Sequence, residues 1–253
     1  MIRLGRLAYA NVAPFFHRLE AETQQVEGVP TALNRLLLDG SVDVTAISSI
    51  EYARHAERLV LLPRICIASD GPVGSVQVVS GLPVEEIRTI AVTPESATSV
   101  VLTKVLLPHA RCVPFDEAAD ARLEIGDAAL RGAIDDPGSR HDLGRLWRER
   151  TGLPMVFALW ACADPPPPGV DELEAELLAS LGRADARPEE LVQEAAERYA
   201  FSPDVLRWYY GQLRYRLGER ERMGLRAFFE HAHRAGELAS VPELRFLRER
   251  VAA

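Results

Sequence analysis

Residues 123–130 read Leu-Glu-Ile-Gly-Asp-Ala-Ala-Leu, and residues 151–160 read Thr-Gly-Leu-Pro-Met-Val-Phe-Ala-Leu-Trp. In the first, an apolar run stops at Gly126-Asp127 and turns straight into a helical pattern. In the second, a Gly-Leu-Pro turn launches an apolar run. A strand that ends in a polar turn and feeds a helix puts polar groups at the carboxyl edge of a sheet, where open α/β folds bind small ligands. The same arrangement recurs along the first 163 residues, so the fold class is α/β, and the question becomes what that shared edge holds.

Outward from this stretch, residues 2–8, 42–47, 65–68, 75–80, 89–92, 111–114 and 122–125 read as strands. Helical patterns lie between many of them. Residues 31–39 place Leu33, Leu36 and Leu37 on one face before the stop at Gly40. Asp70-Gly71-Pro72 marks a tight turn between two strands. Alternating β and α units imply a parallel or mixed sheet. The run of prolines at 165–168 then breaks the chain, and residues 170–253 carry Glu, Arg, Leu and Ala at helical spacing. They predict four or five helices and little sheet.

Two α/β lobes joined by crossovers tie these pieces together. The expected crossovers lie near residues 80–88 and 159–169. The first lobe then holds residues 1–82 plus the C-terminal helices 171–253, and the second holds 83–170. Such lobes close by hinge motion around a ligand.

The bulk numbers narrow the function. Of 253 residues, 47% are hydrophobic and 26% charged, which is ordinary globular composition. The net charge of −8 and the lack of a basic stripe argue against nucleic-acid partners. Lys104 is the only lysine, so Schiff-base chemistry has one candidate, and its place in an apolar helical run reads as a solvated helix residue. Cys66, Cys112 and Cys162 stand far apart in strand-like runs and read as reduced, buried thiols. No apolar run approaches the ~18 residues of a membrane span, and the N-terminus has no signal-peptide core. The expectation is a soluble cytoplasmic protein with no membrane partner; the oligomeric state is not legible.

Polar clusters follow several apolar runs: Asn11, Ser48-Ser49, Ser75, Ser96 with Thr98 and Ser99, and Asp127. Serine and threonine at a helix start cap free N–H groups. The same hydroxyls and N–H groups bind anions, helped by the helix dipole. Several such clusters on one edge favour the second use and imply a small carboxylate or polyol. Gly-rich dinucleotide and phosphate loops are absent, as are helical metal pairs among the six histidines and any nucleophile elbow. Trp147 and Trp160 flank the turn at 151–154 and read as core fillers or a cleft wall. The aromatic run at 208–210 reads as packing for the helical tail.

Taken together, residues 9–14 (Tyr-Ala-Asn-Val-Ala-Pro), 70–75 (Asp-Gly-Pro-Val-Gly-Ser), 96–100 (Ser-Ala-Thr-Ser-Val), 125–130 (Ile-Gly-Asp-Ala-Ala-Leu), 142–147 (Asp-Leu-Gly-Arg-Leu-Trp) and 151–158 (Thr-Gly-Leu-Pro-Met-Val-Phe-Ala) resemble the chorismate dehydratases of the futalosine route to menaquinone. The resemblance runs over nearly the full length. It implies a type II periplasmic-binding-protein fold and removal of water from chorismate to give 3-enolpyruvylbenzoate, without metal or organic cofactor. It implies that Asn11 and Ser75 hold the reacting part of the substrate, and that Thr98 and Ser99 bind a carboxylate. Ser48, Ser49 and Asp127 are further substrate-binding candidates. Rival readings are a non-catalytic small-carboxylate binding protein, the sister enzyme of the same route acting on cyclic dehypoxanthinyl futalosine, and an effector-sensing domain. The sister enzyme relies on a histidine, and no strand-end turn here carries one.

Overall fold

The computed structural model describes residues 1–247. The predicted helical tail therefore extends past the described residues at 248–253. Two sheets form the frame. The first contains β1 (Ile2–Leu7), β2 (Thr23–Gly28), β3 (Val44–Ser48), β4 (Leu59–Ser69), β10 (Met155–Ala163) and β11 (Leu213–Arg216), in the order β11-β4-β10-β3-β1-β2. The second contains β5 (Val76–Val79), β6 (Thr89–Val92), β7 (Arg111–Pro114), β8 (Ala121–Ile125) and β9 (Arg140–Asp142), in the order β7-β6-β8-β5-β9. Each sheet is mixed. In the first, β1 runs parallel to β2 and β3, while β10 runs antiparallel to β3 and β4. In the second, β6 is parallel to β7 and β8, and β5 is antiparallel to β8 and β9.

Burial explains which strands were legible. β3 is buried at every position, and β4 and β10 at nearly every one. Central strands covered on both faces read as continuous apolar runs. β2 is an edge strand, Thr-Gln-Gln-Val-Glu-Gly, with no apolar run to announce it.

The crossovers differ from the expected ones. The chain leaves the first sheet at residues 70–75 and returns across α6 (Leu143–Thr151). Consequently β5 belongs to the second sheet and β10 to the first, against the expected boundaries at 82/83 and 170/171. The reason is physical: a tight-turn signal marks a change of direction, not the sheet that the next strand joins. Here Asp142 holds the crossover by accepting from the backbone N–H groups of Val73 (3.1 Å) and Gly74 (2.7 Å) and from Gln77 Nε2 (2.9 Å).

Helices α2 (Pro30–Leu38), α3 (Ser49–Arg54), α4 (Ala97–Leu106) and α5 (Gly126–Asp135) follow strands, and a short α1 (Ala13–Phe16) follows the turn after β1. The tail contributes α7 (Val170–Ala186), α8 (Pro188–Tyr199), α9 (Pro203–Gln212) and α10 (Glu219–Arg234), plus the strand β11. One apolar core joins a face of the first sheet to α7, with Phe15 and Trp160 ring centroids 5.0 Å apart. A larger core runs through both lobes and includes α10, where Trp147 meets Phe228 at 6.0 Å. Trp147 and Trp160 are fully buried fillers, not cleft wall. Lys104 is a partly exposed helix residue whose Nζ also lies 2.7 Å from a Glu237 carboxylate oxygen. No helix among the described residues is long and apolar enough to cross a membrane.

Candidate functional site

A cavity of about 550 Å³ of non-atom space, counting the part open to solvent, lies between the two lobes. Its wall is built from strand ends and helix starts. Asn11 comes from the turn after β1, Ser48 is the last residue of β3, Ser75 precedes β5, Ser96 and Ser99 open α4, and Gly126 opens α5. Tyr9, Pro30, Val73, Ile125 and Phe157 add apolar surface.

Asn11 and Ser75 both line this cavity, and each has unspent capacity. Asn11 Oδ1 is buried and has no hydrogen-bond partner among the described residues. Buried polar atoms are nearly always satisfied, so an orphan oxygen at a cavity wall points to a ligand. Ser75 is buried, and its Oγ accepts a hydrogen bond from the Tyr209 phenol at 2.8 Å. Its own hydroxyl hydrogen has no acceptor among the described residues.

The other candidates divide. Ser48 and Ser99 line the cavity; Ser49, Thr98 and Asp127 do not. Ser48 Oγ accepts from Asn34 Nδ2 (3.0 Å), and Ser99 Oγ accepts from Ser96 Oγ (2.8 Å). Ser49 donates to the Val156 carbonyl at 2.7 Å. Thr98 Oγ1 accepts the Ile50 N–H at 3.3 Å, and Asp127 Oδ1 accepts the Ala10 N–H at 3.0 Å. Both of these bonds cross from one lobe to the other. Asp127 lies in the first turn of α5 but makes no cap bond there. Burial pushes its carboxyl above the ordinary 3.8, against the lowering effect of the Ala10 N–H and Arg131.

More bonds fasten the lobes. Tyr9 donates to Glu95 at 2.7 Å, and the Thr31 N–H donates to the Glu95 carbonyl at 3.2 Å. Burial and the Glu95 carboxylate push the Tyr9 phenol up, so it stays a donor. Gly126 is required beside it: φ is +62°, and a Cβ there would lie 2.8 Å from the Tyr9 ring. The same glycine donates its N–H to the Ser75 carbonyl at 2.8 Å.

The electrostatics are unusual for an anion site. No lining residue is Asp, Glu, Arg, Lys or His. Positive potential comes instead from the N-termini of α2, α4 and α5, which reach the wall at Pro30, Ser96 and Gly126. The helix dipoles favour negative charge there, although the N–H groups of Thr31, Gly126 and Ser99 are already engaged by Glu95, Ser75 and Ser96. The wall can therefore hold an anionic molecule with neutral donors, but it has no carboxylate or imidazole for proton transfer. Among the described residues no cluster of His, Cys, Asp or Glu could hold a metal.

Sequence reasoning missed the tail. Tyr209 and Tyr210, on α9, reach Ser75 Oγ and the Ala10 carbonyl (3.3 Å) respectively. The only signal was the aromatic run at 208–210, which packing explains equally well.

The sequence profile described as menaquinone biosynthesis matches residues 2–234. The chain is 37% identical over 257 aligned positions to a chorismate dehydratase of Thermus thermophilus, covering 90% of this chain and 93% of that protein. Among solved structures, a protein of Archaeoglobus fulgidus superposes with a TM-score of 0.76 at 22% identity, covering 93% of this chain and 97% of that one. A Candida albicans protein described as having the generic periplasmic binding protein fold superposes at 0.69 with 10% identity, covering 98% and 97%. These two likenesses show a periplasmic-binding-protein-like fold.

Proposed function

The chain belongs to the menaquinone biosynthesis family, and from that premise we propose that it is a hydro-lyase that removes water from chorismate to give 3-enolpyruvylbenzoate. The observation that carries the reading is the placing of the Asn11 amide and the Ser75 hydroxyl on one cavity wall that has no carboxylate, imidazole, lysine or arginine. Such a wall suits a reaction that needs little from the protein. The ring carbon bearing the enolpyruvyl ether loses its proton, the neighbouring carbon loses hydroxide, and the ring becomes aromatic; the two leave as water. Aromatic stability drives the step, so the protein chiefly orients the substrate and stabilises charge.

The proton acceptor in this proposal is the substrate's own enolpyruvyl carboxylate, positioned by Ser75 and Asn11. The lack of a lining carboxylate or imidazole supports this assignment. Ser99, Ser48 and the helix N-termini supply donors for the substrate's carboxylates; Ser49, Thr98 and Asp127 support the wall from behind. We place the step in the futalosine route, on the motifs quoted above, and in the cytoplasm, with which three free cysteines agree.

Incubating the protein with chorismate and following the benzoate product by absorbance tests the reading. Ser75→Ala and Asn11→Asp are each expected to lower kcat roughly 100-fold or more, the usual weight of a charge-stabilising donor. The second variant also sets a carboxylate against an anion. Turnover at the unmodified rate in either would remove that residue from the reaction and overturn the proposal that the two together position the substrate's carboxylate.

A further inference from the structure

The Tyr209–Ser75 hydrogen bond links the C-terminal helical segment to the cavity. Tyr209 is 1% exposed and Ser75 4%. The phenol has one hydrogen to give. Among the described residues its oxygen has no partner except Ser75 Oγ, 2.8 Å away. That hydrogen therefore occupies one lone pair of the serine oxygen. The Ser75 carbonyl is engaged by the Gly126 N–H at 2.8 Å, so the serine backbone is held as well. What remains free is the serine hydrogen, and the residue faces the cavity.

We propose that Tyr209 is a positioning residue that makes Ser75 an obligate hydrogen-bond donor toward the substrate. Without the phenol, a serine hydroxyl rotates and can offer a lone pair or a hydrogen. With it, the lone pair facing α9 is used and the hydrogen is directed into the cavity. A hydroxyl that already accepts a hydrogen bond is also a stronger donor. The acceptor is an anionic oxygen of the substrate, which in the reading above, on which this inference rests, is the enolpyruvyl carboxylate. Burial keeps the phenol protonated and therefore donating. The adjacent Tyr210 donates to the Ala10 carbonyl, one residue before Asn11. One turn of α9 thus reaches Ser75 itself and the backbone beside Asn11, from a part of the chain 134 positions from Ser75.

Tyr209→Phe removes one oxygen and keeps the ring. In the full-length chain it is expected to lower kcat roughly tenfold, with KM changed less than about threefold and the melting temperature within about 3 °C of the parent. Three further proteins separate positioning from packing: the parent, Ser75→Ala and the Ser75→Ala/Tyr209→Phe double variant. Because Ser75→Ala is slow, chorismate binding to it is measurable by calorimetry. If Tyr209 acts through Ser75, the double variant binds chorismate as Ser75→Ala does, within about twofold. A further loss of binding in the double variant assigns Tyr209 to packing and overturns the proposal. So does Tyr209→Phe with kcat within twofold of the parent, or with a loss confined to KM. A parent protein that leaves chorismate unchanged overturns the dehydratase reading and this assignment together; a working parent beside an unaffected Tyr209→Phe overturns this assignment alone.

Discussion

The turn at 48–50 and the turn at 96–99 both reach the cavity, one from each lobe, and meet through the Ile50–Thr98 hydrogen bond. Both carry adjacent or near-adjacent hydroxyls where a strand gives way to a helix, and both looked alike in the sequence. Their hydrogen bonds differ. In the second-lobe turn Ser96 is a conventional cap, accepting from the Ser99 N–H at 3.3 Å. In the first-lobe turn Ser48 makes no cap bond; Asn34 grips it instead, donating to its Oγ and accepting from its N–H at 3.1 Å. Yet each turn ends with one hydroxyl on the cavity wall, Ser48 or Ser99, and a neighbour, Ser49 or Thr98, turned away to stitch the protein together. The comparison separates two uses of the same residue type: what a hydroxyl does depends on which side of the helix start it leaves.

Removing both wall hydroxyls is the hardest blow to this division. Ser48→Ala and Ser99→Ala should each lower kcat/KM about tenfold, one hydrogen bond to a charged ligand apiece. If the turns hold different parts of the substrate, the double variant loses about 100-fold. A double loss no larger than either single one would mean that both hold the same group. Stability should distinguish them too. Ser48→Ala strands the buried Asn34 amide and costs about 1–3 kcal/mol, whereas Ser99→Ala leaves the Ser96 cap in place. Urea unfolding checks the order.

The stitching residues should behave in reverse. Thr98→Val keeps the shape and removes the acceptor of the Ile50 N–H, a bond between the lobes. The expected result is a stability loss of about 1–2 kcal/mol with kcat/KM within about threefold. A loss of activity matching Ser99→Ala, with stability intact, would move Thr98 to the substrate side and break the division.

This division also marks where the sequence stopped being readable. The apolar strands and helix starts were legible because burial imposes a pattern on neighbouring residues: β3, β4 and β10 are covered on both faces, and α4 opens at a serine cap. The polar turns were legible as a set. Which hydroxyl of each turn faces the cavity was not, since Ser48 and Ser49 differ only in the direction of one side chain. The sheet exchange was hidden for a related reason. β5 and β10 are as apolar as strands of either sheet, and apolar pattern records burial rather than partner. Tyr209 lay furthest out of reach, because its role exists only through a contact 134 positions away.

Asp127 offers the gentlest test, because it stitches with a charge rather than a hydroxyl. Its carboxylate accepts the Ala10 N–H across the lobes, yet burial raises its pKa above the ordinary 3.8. The folded protein then binds this proton more tightly than the unfolded chain. As pH rises from the ordinary value through the raised one, the unfolded chain releases its proton first, and stability falls. Above that window the penalty is constant. Asp127→Asn keeps an acceptor for Ala10 and removes the charge, so it removes this pH dependence. The urea midpoint of the variant, measured against the parent between acid and neutral pH, should shift in the variant's favour as pH rises, while kcat at neutral pH stays within about twofold. A shift in the opposite direction would mean that the Ala10 N–H and Arg131 outweigh burial. The second-lobe side of the contact would then be held by charge, not merely by shape.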